Sequence, residues 1–372
     1  LSGLTDHEAV DLLTDMLRIY SPSRKEAALA AYLADRMREL GFQRVVVDDV
    51  DNVVGVVGSG HPSILLCGHM DTVPGVLPVR RSGDLLYGRG AVDAKAALAA
   101  MIVAASRLSG QAGLGQVLVA AVADEEGNGL GIKELLKRGL NVQYAIFGEP
   151  SGVDRITVGY KGRVCVRLRL LTASVHASAP WMADNAVLRM MEVWREIKAV
   201  EAEHRVEGDR YGSLSACLTR LCGGEAHNVT PSSCEMVVDF RVPPGLGCSR
   251  LLARLNRLVE ELGRRMDFPK LEMEVLDSTE PYEADRSSLV VRALIRSIIQ
   301  VLGRRPLLLK KTGTGDMNTL GSVLKIPTVT YGPGNPHLSH TEREAVEISD
   351  YLKSIRIYEA AVRNLALLAR NG

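Results

Sequence analysis

Two apolar-periodic runs open the chain, each preceded by a hydroxyl residue and, three positions on, a glutamate: Thr5-Asp6-His7-Glu8 and Ser23-Arg24-Lys25-Glu26. Such capping boxes satisfy the orphan N–H groups of a helix start. Two helices are therefore predicted, the second stopping at Gly41. Short apolar runs then alternate with helical ones. Strands are predicted near residues 45–47, 53–57, 64–67, 117–122 and 145–147, and helices near 94–108 and 131–137. Short apolar strands between helices read as a mainly parallel sheet covered on both faces.

The pattern changes after Tyr160. Val164, Val166, Leu168 and Leu170 alternate with Arg163, Cys165, Arg167 and Arg169, the two faces of a half-buried strand. A helix near 186–200, strands near 213–221 and 234–242, a helix near 250–265 and a strand near 271–276 complete a βαββαβ order. From about Pro281 the β/α alternation returns, ending in a long helix from about Ile348. The expected class is α/β: a mixed, mainly parallel sheet covered by helices, with an inserted α+β domain of ferredoxin-like order. The boundaries expected are 1–161 and 281–372 for the two parts of the main domain and 162–280 for the insert.

Composition narrows the function classes. A length of 372 residues exceeds what one core usually supports. With 45 Lys+Arg against 44 Asp+Glu, the net charge of +1 provides no global field for nucleic acid or an anionic membrane. The six cysteines are scattered without a C-x-x-C pair, which excludes a disulfide framework and a cysteine zinc site and fits a cytoplasmic setting. The acidic first helix (Asp6, Glu8, Asp11, Asp15) is unlike a signal peptide, and Gly-interrupted apolar runs fall short of a membrane span.

Candidate chemistry gathers at strand ends, where open α/β sheets place their sites. His69 and Asp71, in Gly68-His69-Met70-Asp71, lie two apart and share a side, so the carboxylate can orient a ligating imidazole. Asp93, in Gly88-Arg89-Gly90-Ala91-Val92-Asp93, opens a helix, either as an ordinary N-cap or as a carboxylate with one oxygen on each of two metals. Asp124-Glu125-Glu126 follows an apolar strand. It is a solvated acidic turn or, if buried, a repulsive cluster that cations would relieve. Glu149 ends another strand, and His340 lies late in the chain with His337 as a rival. Imidazole and carboxylate without thiolate suit catalytic Zn²⁺, with Co²⁺ or Mn²⁺ as substitutes. Two divalent ions bring four positive charges, matched by Asp93, Glu126, Glu149 and a hydroxide; Glu125 is then the spare carboxylate, free to move a proton.

These motifs, in this order, resemble the ArgE/DapE-type dinuclear zinc amidohydrolases over essentially the whole chain. The resemblance implies a zinc-peptidase-like catalytic domain and an insert that serves as lid and dimerisation domain of a homodimer. It implies that His69, Asp93 and Glu149 hold one Zn²⁺, and Asp93, Glu126 and His340 the other. It makes Asp71 the residue that orients His69, and Glu125 the general base. His176, in Ser174-Val175-His176-Ala177-Ser178-Ala179-Pro180, corresponds to a lid histidine that stabilises an oxyanion; a hydrogen-bonded surface histidine is the plain alternative. Asn228 and Arg241 correspond to substrate-contacting lid positions, with a strand-end ion pair as the alternative for Arg241.

Gly313-Thr314-Gly315, before a helix expected at Asp316, reads as an anion cradle for a substrate carboxylate. The Thr312-Gly313-Thr314-Gly315-Asp316-Met317-Asn318 form resembles the hydrolases that release lysine or ornithine from the terminal glutamate of an acidic amino-group carrier protein. The face formed by Lys161, Arg163, Arg167 and Arg169 is then either a carrier-docking rim or a solvated strand face. The alternatives are a deacylase of N-acetylornithine, N-acetyl-lysine or succinyl-diaminopimelate, and a catalytically silent dimeric binding protein on the same fold.

Overall fold

A computed structural model of the chain describes residues 3–265 and 269–371. The chain forms two compact units. The first holds the described residues up to Gly159, Ala284–Lys310 and those from Gly315 onward; the second holds Tyr160–Glu283 and Lys311–Thr314.

The first unit begins with α1 (Asp6–Arg18) and α2 (Ala27–Glu39). Then come β1 (Arg44–Val47), β2 (Val53–Gly58), β3 (Ser63–His69), β4 (Arg80–Ser82), β5 (Leu85–Tyr87), α3 (Lys95–Leu108), β6 (Gln116–Val122), α4 (Leu130–Lys137), β7 (Tyr144–Phe147) and β8 (Arg155–Tyr160). The second unit contributes β9 (Gly162–Leu171), α5 (Ala186–Glu203), β10 (Ser215–Gly223), β11 (Ser233–Val242), α6 (Cys248–Gly263), β12 (Lys270–Thr279) and β13 (Tyr282–Glu283). The chain returns through α7 (Leu289–Leu302), β14 (Leu307–Lys311), α8 (Asp316–Leu324), β15 (Thr328–Thr330), β16 (Ala345–Glu347) and α9 (Ile348–Asn371).

The main sheet of the first unit runs β1-β2-β6-β3-β7-β15-β8. Its centre is parallel: Ile64 pairs with Val117, Leu65 with Ala145, and Ile146 with Val329. Antiparallel pairs flank it. β3 is buried along its whole length, as a strand covered on both faces must be. α3 packs on β3 and β6 and, on its other side, on α1 and α9. That placement explains why nearly all its residues are buried and why it is apolar all round.

The first capping box forms: Thr5 Oγ1 accepts from the Glu8 N–H, and Glu8 Oε2 accepts from the Thr5 N–H at 2.8 Å. The second does not. Glu26 precedes α2 without a side-chain cap bond. Instead Ser23 Oγ donates to Asp71 Oδ2 at 2.6 Å, and Glu26 Oε1 accepts from the N–H groups of Arg24 and Asp124. These buried partners outweigh a cap bond that water can replace at an open helix end. A small three-stranded sheet, β16-β5-β4, lies outside the predicted elements. Its strands are three residues long and β4 is wholly exposed, too short to leave a readable period.

The second unit is a four-stranded antiparallel sheet, β10-β11-β9-β12, with α5 and α6 packed on one face. In the unit's own chain order this is 2-3-1-4, the ferredoxin-like arrangement. Val164, Val166, Leu168 and Leu170 enter its core with Met190, Val193, Leu251 and Leu255. Among the described residues no helix is long and apolar enough to cross a membrane.

Candidate metal centre

The parallel centre of the sheet brings the carboxyl ends of β3, β6, β7 and β15 to one edge. β3 ends on His69, which is 1% exposed. Its Nδ1 lies 2.9 Å from the Asp71 carbonyl and 3.5 Å from Asp71 Oδ1, so backbone and carboxylate together fix the ring. Its Nε2 faces Asp93 Oδ1 at 3.2 Å and Glu149 Oε1, beyond β7, at 3.7 Å. His340 Nε2 faces the other Asp93 oxygen, Oδ2, at 3.2 Å and Glu126 Oε1 at 2.7 Å. Asp93 therefore stands between two imidazoles, one oxygen toward each. The N-cap reading fails: α3 begins at Lys95, with Ala94 at the cap.

The acidic turn after β6 is held from both ends. Asp71 Oδ1 and Oδ2 accept from the N–H groups of Glu125 and Glu126, each at 3.1 Å. Asp124 takes a left-handed conformation (φ 60°), which Asp tolerates better than most residues, and hands its N–H to Glu26 at 2.9 Å. Asp124 is buried, Glu125 and Glu126 are half-buried, and their backbone is held from within, so the turn is not a freely solvated one. His69, Glu125 and Glu149 form one group, and His69, Asp93 and Glu126 another, in which single ligand atoms of the members lie within 4.8 Å of each other.

Charge is unbalanced here. Burial opposes protonation of His69, but the Asp71 and Asp93 carboxylates beside it raise its pKa well above the imidazole range. Asp93 and Glu126 push His340 up to about 10. Burial first, and then the Glu149 charge, push the Glu125 carboxyl well up. Asp93, although desolvation alone would raise it, is held low by hydrogen bonds from His340 and His69. The three upward shifts have the sense expected where carboxylates outnumber cations, and Asp93 goes the other way because it faces both imidazoles. The nitrogen and oxygen donors, without thiolate, fit a divalent ion such as Zn²⁺.

The other expected residues divide by location. Gly315 belongs to the first unit, where a Cβ on it would stand 3.3 Å from Glu125 Oε1. Its N–H is already taken by Asn318 Oδ1, so the cradle is not open at that position. Gly313 and Thr314 belong to the second unit, with Thr314 Oγ1 donating to the Lys161 carbonyl at 2.8 Å. His176 is exposed and accepts from the Ser178 N–H. The Asn228 carbonyl accepts from Ala177. Arg241 pairs with Asp239 at 2.8 Å and reaches Thr314 Oγ1 at 3.3 Å. His337 is exposed and belongs to neither ligand group.

The predicted basic face is not a free one. Lys161 is buried, donating to the carbonyls of Arg210 and Ser213. Arg163 meets Asp239 and Asp277, Arg167 meets Glu274 and Glu235, and Arg169 meets Glu235. Cross-strand pairing, invisible without the register, supplies each carboxylate.

Sequence reasoning missed the residues that support the site from afar: Ser21 (on the Met70 carbonyl), Ser23, Glu26, Arg89 as an ion-pair partner, and Glu344. None carries a local signal of this role, because each acts through contacts tens to hundreds of positions away.

A sequence profile of Peptidase family M20/M25/M40 matches residues 65–364. A relative from Saccharolobus solfataricus, bearing the name LysW-lysine/LysW-ornithine hydrolase, is 31% identical over 362 residues, covering 97% of each chain. A Pyrococcus horikoshii protein with the same name, given provisionally, is 34% identical over 362 residues, covering 97% of this chain and 99% of its own. Among solved structures, an M20 family metallo-carboxypeptidase from Sulfolobus solfataricus superposes with a TM-score of 0.80 at 19% identity, over 97% of this chain and 99% of its own. The family match over most of the chain and the full-length relatives lead to one conclusion: this chain belongs to peptidase family M20/M25/M40.

Proposed function

We propose that the chain is a two-metal amidohydrolase that releases lysine or ornithine from LysW, the activity for which its full-length relatives are named. The observation that carries the reading is Asp93, with one oxygen toward His69 and the other toward His340, while Glu125 is grouped with the same His69 and with Glu149. His69, Asp93 and Glu149 would hold one ion, and Asp93, Glu126 and His340 the other, Zn²⁺ or Co²⁺ suiting both donor sets. When bound, such a pair polarises a scissile carbonyl and makes a water nucleophilic at neutral pH.

The chain's own residues do the rest. Asp71 fixes the His69 ring and the backbone of Glu125 and Glu126 at once. Glu125, half-buried and beside Glu149, has the proton affinity to take a proton from the attacking water and return it to the leaving amine. His176, Asn228, Arg241, Gly313 and Thr314 are assigned to the substrate on their family resemblance, Arg241 through a carboxylate it can grip bidentately. The edge strand β10 has one side without a strand partner in the four-stranded sheet, which supports assembly as a homodimer through the second unit.

The test is direct. Protein loaded with zinc or cobalt is incubated separately with LysW-lysine, LysW-ornithine and free N-acetylornithine, and the released amino acid is measured. Release from the LysW conjugates is expected. Turnover of N-acetylornithine alone would replace the reading with a free N-acyl amino acid deacylase.

A further inference from the structure

Glu344 belongs to none of the motifs that mark the site, yet it is 1% exposed and its carboxylate is saturated with donors. Oε1 accepts from three backbone donors of one turn, the N–H groups of Gly90, Val92 and Asp93, at 3.0, 3.0 and 3.1 Å. Oε2 accepts from Arg89 Nη1 at 2.7 Å. The same Nη1 reaches the Thr341 carbonyl at 3.2 Å, and Arg89 Nε reaches the Gly75 carbonyl at 3.3 Å. Converging backbone N–H groups make an anion-binding nest; here a side chain of the same protein fills it. The small sheet delivers that side chain: Ala345 pairs with Tyr87, and the Gly88 N–H donates to the Glu344 carbonyl.

One buried ion pair thus joins the turn that carries Asp93 to the loop that carries His340. Both segments have unusual backbones. Gly90 has φ 88°, and a Cβ there would lie 3.0 Å from the Lys95 and Thr72 side chains. His340 has φ 64° without being glycine, a conformation that persists only where its surroundings hold it. A buried ion pair is weak evidence of stability for its own sake, so a positional role is the better account of this one.

We propose that Arg89 and Glu344 are positioning residues that lock Asp93 and His340 at the spacing an ion between Asp93, Glu126 and His340 requires. Neither residue touches that ion or the substrate. The inference rests on the two-metal reading above.

The test titrates metal-free protein with Co²⁺, followed by calorimetry and by the cobalt absorption spectrum. Wild type is expected to bind two equivalents. Glu344→Gln keeps the shape of the side chain but removes the charge that Arg89 and the three N–H groups face. It is expected to weaken one equivalent by about 10- to 100-fold, the usual range for loss of an outer partner, and the other, which shares Asp93, by clearly less. kcat should fall with KM little altered. Arg89→Lys keeps the charge but not the two-way reach to Glu344 and Thr341, and should fall between wild type and Glu344→Gln. If Glu344→Gln does not fold, Arg89→Lys alone decides. Native affinity for both equivalents in the folded variants, or equal weakening of the two, would overturn the proposal. A wild-type protein that binds no cobalt would overturn the two-metal reading itself, a failure seen before any variant is made.

Discussion

The outer face of the second unit's sheet and the strand ends of the first unit's sheet are both crowded with charge, and the two are built in opposite ways. On the outer face, Arg163, Arg167 and Arg169 of β9 each meet an acid on a neighbouring strand: Asp239, Asp277, Glu235 or Glu274. Each positive group has a negative partner, and most of these side chains are at least partly open to water. At the strand ends, Asp71, Asp93, Glu125, Glu126 and Glu149 converge on two imidazoles, His69 and His340. The donors that meet Asp71, Asp93 and Glu126 are imidazoles, a serine hydroxyl and backbone N–H groups. A balanced surface ladder is a way to stay soluble and in register. A buried acid excess is costly unless an outside cation completes it. The contrast teaches that the informative feature is the imbalance, not the number of charges.

Three substitutions sharpen the contrast. The largest effect is expected from Glu125→Gln, which keeps the shape but removes the proton acceptor. kcat should fall by about 10² to 10⁴, the usual contribution of a general acid–base, while two equivalents of cobalt remain bound. Unchanged turnover with metal in place would remove Glu125 from the mechanism. Next comes Asp71→Asn. The amide loses the charge that Glu125, Glu126 and Ser23 bond, and it presents a donor where one of the two N–H groups expects an acceptor. We expect a loss of about 1–3 kcal/mol in unfolding free energy, together with weaker metal binding; chemical denaturation of the metal-free protein separates the two. The smallest effect is expected from Arg167→Ala on the balanced face. A partly exposed ion pair contributes about 0–1 kcal/mol, so the melting temperature should scarcely move and turnover should not change. A large loss of turnover there would restore that face as a docking surface for the substrate protein.

The legibility of the molecule follows the same divide. β3, β6, β7 and α3 were predictable because each is long enough, or apolar enough, to show its period. The ligand candidates were legible because each sits at the end of such a run, and a parallel sheet collects those ends at one edge. Ser23 and Glu26 misled: their spacing is that of a capping box, but the tertiary structure spends both side chains on Asp71 and on the backbone of Asp124. The strand arginines also misled, since alternation reveals which residues share a face but not what stands opposite them.

The sequence alone determined the class of fold, the order of its elements and the kind of donor atoms at the site, because these follow from local periodicity and side-chain chemistry. Only the tertiary structure decided that Asp93 stands between His69 and His340, that Asp71 grips both a histidine and an acidic turn, and that Glu344 closes the Asp93 turn from about 250 residues away. The physical reason is that register and loop closure depend on the energy of the whole packed chain, which no local window contains.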